Sequence, residues 1–444
     1  MPGNVSNLIE RRIVALVSPS EVLAQGFVKR IFIDWININL TNLSLNTTPT
    51  ELKRNQVWMD PDLWGALPES LLELILTHLP LPNLLQMRAV CRKWNSLVQT
   101  PRFLDAQRCT STQCQSYVLT VSEPAFSAFS FYQKGPELHY LRSSSLYCQV
   151  SRTWFNLSLD FLPFADLYVT SVGGGLVCFV AYKGKANRTN REVVIGIANP
   201  ASRTWRLLPS WGDNTPCRNL PNFVAMVVDN FTRKYRVVAV DYDRITTYMY
   251  NSAHMSWTKS KDVPTQHNFP YYDRTPTQAV MTSDGSKLVC TTQCKTGISV
   301  YDMDTGLWDS YHVFLPGMHS NVHLVQHRGR ILLISRIMKA KYEGSERLQI
   351  SELDRKGLRV TKALDEVPLG PSKQFLDHFK VCDLVGPDDS QQGLCFVSVT
   401  TGERWVYDLE GRFWRIMPSW PRVRSKSMAA YGGFSIQLRV DIQP

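Results

Sequence analysis

The sequence predicts a mainly β protein, a six-bladed propeller preceded by a small all-helical domain. Three observations carry this: a tryptophan beat of about fifty residues, a strand-turn-strand pattern in phase with it, and one leucine-rich helical stretch upstream. Trp154, Trp205, Trp257 and Trp308 are spaced by 51, 52 and 51 residues, and Trp414 resumes the series after a gap at Leu358–Arg359. Self-similarity at such a period signals a repeat architecture rather than a single packed core.

Each repeat has the chemistry of a β-hairpin. Six positions before the tryptophans stand Asn199, Asn251, Asp302 and Asp408, whose side chains can bond their own backbone in a turn. Cys148–Trp154 is the first copy and Glu352–Leu358 a degenerate one, which makes six. A proline follows each returning strand: Pro163, Pro209, Pro264, Pro316, Pro368 and Pro418. Upstream lie apolar runs such as Lys287–Thr291 and Ile298–Tyr301, so each repeat holds four short strands, the content of one propeller blade. The tryptophans read as packing between blades rather than as a ligand cage. The last stretch, Met428–Val440, alternates without a turn motif behind it, so it is expected to pair with the first blade and close the ring.

The helical stretch lies upstream. Pro68 suits the opening of a helix, Glu69 and Glu73 favour its N-terminal half, and Pro80 stops it. Leu71, Leu72, Ile75, Leu76 and Leu79 cover more than one helical face, so some of this surface is expected to meet another protein. A second helical run is predicted over Leu84–Val98, capped by Asn83 and stopped at Thr100-Pro101. The predicted layout is a tail and linker over 1–60, with a short amphipathic helix at Leu8–Val17, a helical domain over 61–108 and the propeller over 109–444.

Leu67-Pro68, Ile75-Leu76 with Leu79-Pro80, Val90-Cys91-Arg92-Lys93-Trp94 and Pro101-Arg102-Phe103 resemble the F-box family in order and spacing. The resemblance implies a helical bundle that binds a Skp-type adaptor, and through it a cullin scaffold. Leu67, Pro68, Leu71, Ile75, Leu76, Leu79 and Val90 are the candidate adaptor contacts; Trp94 fits core or contact. The repeats resemble kelch repeats, with double glycines at Gly173-Gly174 and Gly432-Gly433, and Trp308-Asp309 lies out of place for a WD repeat. Together the two motifs resemble the plant F-box/kelch-repeat proteins, substrate receptors of SCF-type ubiquitin ligases.

That resemblance implies a protein target held on the propeller. The connectors between blades carry aromatic and basic residues, of which Arg218, Tyr271, Tyr272, Arg274 and His319 are the candidate target contacts. An F-box propeller acting outside a ligase, or a propeller-fold enzyme, are the alternatives. Asp304-Thr305-Gly306-Leu307-Trp308 is one residue short of a sialidase aspartate box, and no P-loop, His-Glu-x-x-His or Gly-x-Ser-x-Gly element occurs. Neither a catalytic residue nor a cofactor is expected. A net charge of +11, spread over a large domain, reads as solvated surface rather than a nucleic-acid footprint. Cysteines inside apolar runs read as buried thiols in a reducing compartment, cytoplasm or nucleus, and their spacing does not suit zinc. No 18-residue uncharged apolar run predicts a membrane span.

Overall fold

The computed structural model describes residues 68–444 apart from 78–83 and a set of connecting stretches, the longest being 124–143, 261–278 and 419–429. The tail and linker of 1–60, and Leu67, Leu79 and Val90, lie outside the described residues. By internal contacts the chain divides into two units, Met1–Leu72 and Glu73–Pro444. The first contributes to the described residues only Pro68 and the opening of one helix.

Among the described residues the helices lie on the N-terminal side: α1 (Glu69–Thr77), α2 (Arg92–Leu97) and α3 (Pro101–Thr110). Pro68 stands one place before α1, and its carbonyl accepts from the Leu71 and Leu72 amides at 3.0 Å. The run predicted over Leu84–Val98 is interrupted, because Cys91 is extended, with φ −157 and ψ 165, and its sulfur accepts from the Trp94 amide. Cys91 therefore caps α2 instead of continuing a helix. Thr100 plays the same part for α3, where its hydroxyl accepts from the Phe103 amide at 3.3 Å and Pro101 takes the first helical position. Leu84, Trp94, Leu97, Val98 and Phe103 are buried, so Trp94 is core.

The remainder is six four-stranded antiparallel sheets. Sheet one takes β1 (Ser116–Glu123), β2 (Ser144–Cys148) and β3 (Thr153–Asn156); sheet two takes β4 (Leu167–Gly173), β5 (Leu176–Lys183), β6 (Glu192–Asn199) and β7 (Thr204–Leu207). Sheet three holds β8 (Phe223–Val228), β9 (Tyr235–Asp241), β10 (Thr246–Asn251) and β11 (Ser256–Lys259). Sheet four holds β12 (Ala279–Met281), β13 (Lys287–Thr291), β14 (Gly297–Asp302) and β15 (Trp308–His312). Sheet five holds β16 (Met318–His327), β17 (Arg330–Met338), β18 (Arg347–Leu353) and β19 (Val360–Pro368), and sheet six β20 (Phe379–Leu384), β21 (Gly393–Ser398), β22 (Arg404–Asp408) and β23 (Phe413–Ile416).

The last strand, β24 (Ala430–Gln437), completes sheet one by pairing with β1 from Ser116↔Gln437 to Glu123↔Ala430. The ring is thus closed by joining the two ends of the propeller, as the sequence predicts. First-position strands touch one another around the inside: β24 meets β4 and β20, β4 meets β8, and β12 and β20 both meet β16. A sheet flanked by neighbours on both faces needs apolar residues at consecutive positions in its middle strands. That accounts for the unbroken burial of Leu176–Ala181 and Gly393–Ser398. It also accounts for Cys178, Cys290 and Cys395, which are buried completely; burial pushes the Cys178 thiol up to about 12.

The turn motif works as the sequence implies. The Asn199 side-chain oxygen accepts from the Ala201 and Ser202 amides, Asn251 from Ala253, Asp302 from Asp304 and Thr305, and Asp408 from Glu410 and Gly411. Two residues before each tryptophan the backbone turns left-handed, at Arg203, Met255, Gly306 and Arg412. The copy that lost both Asx and Trp is irregular, with two register shifts where β18 pairs with β19.

A second beat accompanies the tryptophans and is not evident from their spacing alone. A tyrosine stands seven places before four of the tryptophans and faces it across the hairpin: Tyr147↔Trp154, Tyr250↔Trp257, Tyr301↔Trp308 and Tyr407↔Trp414. Ring centroids in these pairs lie 4.9 to 5.3 Å apart. In sheet two, Ala198 takes the tyrosine's place, and Trp205 packs edge-on to Phe164 at 5.5 Å.

The indoles also join neighbouring blades. Trp257 donates from Nε1 to the Pro209 carbonyl at 2.8 Å, and Trp154 to the Pro418 carbonyl at 2.9 Å, so the proline beat supplies acceptors for the next blade's tryptophan. Trp257→Phe should therefore lower unfolding stability by about 1 kcal/mol, the value of one such bond. Trp205→Phe, at a ring 37% exposed, should lower it by less. Urea denaturation of both variants checks the order.

Candidate functional site

Helix α1 sorts its apolar residues into two groups. Leu72 and Leu76 are each 1% exposed, and Glu73 and Thr77 are buried beside them. Glu73 also meets Arg102 at the start of α3, at 3.4 Å. On the rest of the helix Pro68, Glu69 and Ser70 are exposed, while Leu71 and Ile75 are half-buried. Two leucyl-type side chains left half in water on a nine-residue helix form the apolar surface a partner could cover.

The candidate adaptor contacts accordingly divide. Pro68, Leu71 and Ile75 remain accessible, and Leu76 is covered by the chain itself. Its place as a contact is corrected on that ground: helical spacing puts Leu72 and Leu76 four apart on one face, and that face is the inward one.

The candidate target contacts are placed as follows. Arg218, Tyr271, Tyr272 and Arg274 lie outside the described residues. His319, read from sequence as part of a connector, instead sits on the innermost strand of sheet five, paired with Ile337. The polar run Met318-His-Ser-Asn hid the strand, and the register shift between Ser320 and His323 broke its alternation. Trp211, at the start of another connector, is 2% exposed and packs edge-on to Tyr248 at 5.6 Å, which makes it core between sheets two and three. Asp304, the aspartate-box position, ion-pairs with Arg236 at 3.3 Å, and Asp302 holds the turn.

Two long-range contacts are not visible in the sequence, one made by Arg88 and one by Asn199 beyond its turn. Arg88 donates from Nη1 to the Ala201 carbonyl at 2.8 Å and from Nε to Asn95 Oδ1 at 3.0 Å. Asn199, fully buried, donates from Nδ2 to the Arg439 and Ile442 carbonyls at 2.8 Å while its oxygen holds the turn. The Ala201, Arg439 and Ile442 carbonyls are more than a hundred residues away in sequence, so no local pattern marks these contacts.

The described chain is thus a short helical segment followed by a closed ring of six sheets. Residues 64–105 match the F-box domain. The chain is 25% identical over 288 residues to F-box only protein 6 of Arabidopsis thaliana, covering 63% of this chain and 54% of that protein. It is 25% identical over 208 residues to an Arabidopsis F-box/kelch-repeat protein, covering 44% of this chain and 45% of that one. Protein UNUSUAL FLORAL ORGANS, also from Arabidopsis, is 20% identical over 372 residues, 82% of this chain and 80% of its own length. In the first two, the chain spans about half the length of the relative. Among solved structures, one from a nidogen/laminin complex aligns with a TM-score of 0.42 at 11% identity over 73% of this chain and 99% of its own. That likeness has no bearing on function. The chain thus carries an F-box domain and is similar to plant F-box/kelch-repeat proteins.

The division of α1 predicts unequal stability effects. Leu76→Ala should cost about 2–5 kcal/mol, as expected for a fully buried leucine, and Ile75→Ala markedly less. Chemical denaturation of the two variants compares them directly.

Proposed function

We propose that the chain is the non-catalytic substrate-recognition subunit of an SCF-type ubiquitin ligase. The F-box binds a Skp-type adaptor, which links the chain to a cullin scaffold, and the propeller binds a protein target. The observation that carries this reading is the half-exposed Leu71–Ile75 surface of α1, placed inside a matched F-box and followed by a closed six-bladed ring. The physics is that of a helix laid into an apolar groove, where a few anchors dominate affinity. Ubiquitin transfer takes place on partner subunits, and this chain contributes proximity and orientation. Arg218, Tyr271, Tyr272, Arg274 and His319 are proposed to contact the target, with neither nucleic acid nor membrane involved. The described cysteines are free thiols, which supports a cytoplasmic or nuclear location.

Replacing Leu71 and Ile75 together by Ala should weaken binding to a Skp-type adaptor at least about a hundredfold, because anchors of this kind each contribute about 2 kcal/mol. Titration of purified adaptor by calorimetry measures it, with the thermal unfolding of the propeller unchanged. Wild-type affinity in the double variant contradicts the docking surface. Co-purification of the adaptor without any cullin contradicts the ligase assignment and leaves the docking surface intact.

A further inference from the structure

The Arg88 contact joins the helical region to the propeller at one well-built point. Arg88 precedes α2 and is half-buried. Its guanidinium makes two directed bonds, one to Asn95 inside its own helical segment and one to the Ala201 carbonyl in the β6–β7 turn. Asn95 Oδ1 also accepts from Gln99 Nε2 at 3.2 Å, so the near end of the contact is itself braced.

The far end is fixed more firmly still. Ala201 is 1% exposed, and its amide is held by Asn199 Oδ1 at 2.9 Å. Asn199 in turn grips the segment that follows β24 through the Arg439 and Ile442 carbonyls, and Ile442 is buried in the core between sheets two and three. The acceptor for Arg88 thus belongs to a turn locked from three sides. Burial first, and the like charge of Arg203 second, lower the Arg88 pKa, consistent with a cation held partly out of water. A planar guanidinium with two fixed acceptors sets angle as well as distance, which an ammonium cannot do.

We infer that Arg88 is a positioning residue: its two bonds fix α2 in one orientation against blade two. Ubiquitin transfer then depends on it, while adaptor affinity does not. This rests on the proposed ligase role, in which transfer requires that a bound target face the ubiquitin carrier at a set distance.

The experiment uses the full chain as wild type, Arg88→Ala and Arg88→Lys, with nitroxide-bearing unnatural residues at exposed Arg92 and Lys259. Pulsed electron spin resonance reads the spread of label distances. Wild type should give one narrow distribution, Arg88→Ala a clearly broader one, and Arg88→Lys, which can reach the Ala201 carbonyl alone, an intermediate width. In parallel, self-ubiquitination is followed with purified adaptor, cullin scaffold and ubiquitin-conjugating enzyme. The rate should fall about tenfold in Arg88→Ala at unchanged adaptor affinity, since misplacement by about 1 Å costs up to about a hundredfold.

An unchanged distance distribution in Arg88→Ala overturns the inference. Loss of adaptor affinity in Arg88→Ala, or unfolding of the helical segment at the assay temperature, also overturns it, because Arg88 would then serve the local fold. If wild type binds no adaptor, the ligase role fails, and the label distances still decide whether Arg88 clamps the two parts.

Discussion

The structure depends on the pairing of β24 with β1. Eight consecutive residue pairs join the two ends of a ring that contains five other sheets. Without β24 the inner edge of sheet one would expose a row of unpaired backbone groups, and β4 and β20 would lose the strand between them. The seam is reinforced at its outer edge as well. Trp154 reaches across it to the Pro418 carbonyl, and the Arg404 guanidinium lies 4.8 Å from the centre of the same indole ring. Cys382, Cys395, Val406 and Met417 of sheet six and Val118 and Tyr147 of sheet one share one apolar cluster there.

Closure matters for function because a ring of blades is a rigid body whose rim can vary without changing its frame. Stability is spread over repeated, nearly equal interfaces: Tyr–Trp pairs on the outer hairpins, continuous apolar middle strands, and Asx-locked turns. Recognition can then be placed on connectors, which carry little of the fold's stability. The F-box follows the opposite logic. It keeps Leu71 and Ile75 half in water, the surface proposed above as the adaptor contact.

Much of this was legible in the amino-acid order, for reasons particular to each element. Periodic features were readable because every blade must solve the same packing problem: Trp154 to Trp308 keep their beat, and Asn251 and Asp408 hold their turns with the side chains expected. The closing strand was readable because an alternating run with no hairpin behind it has no other use. What stayed hidden was long-range or locally disguised. Arg88 looks like any F-box basic residue until the Ala201 carbonyl is seen beside it. His319 was misplaced because a bulged inner strand with polar residues resembles a loop. Leu76 was misjudged because the leucine-rich helix has two apolar faces, and sequence alone does not say which is turned inward. Cys91 ended one helical run and began another by capping, a role sulfur seldom takes.

The proposed partner surface lies on α1, and the blades form the frame. Amide hydrogen exchange on the intact chain, with and without a purified Skp-type adaptor, tests this most directly. Added protection over Pro68–Thr77 is expected, with unchanged exchange in the strands from β1 to β24. Protection that appeared in the blades and spared the helix would contradict it.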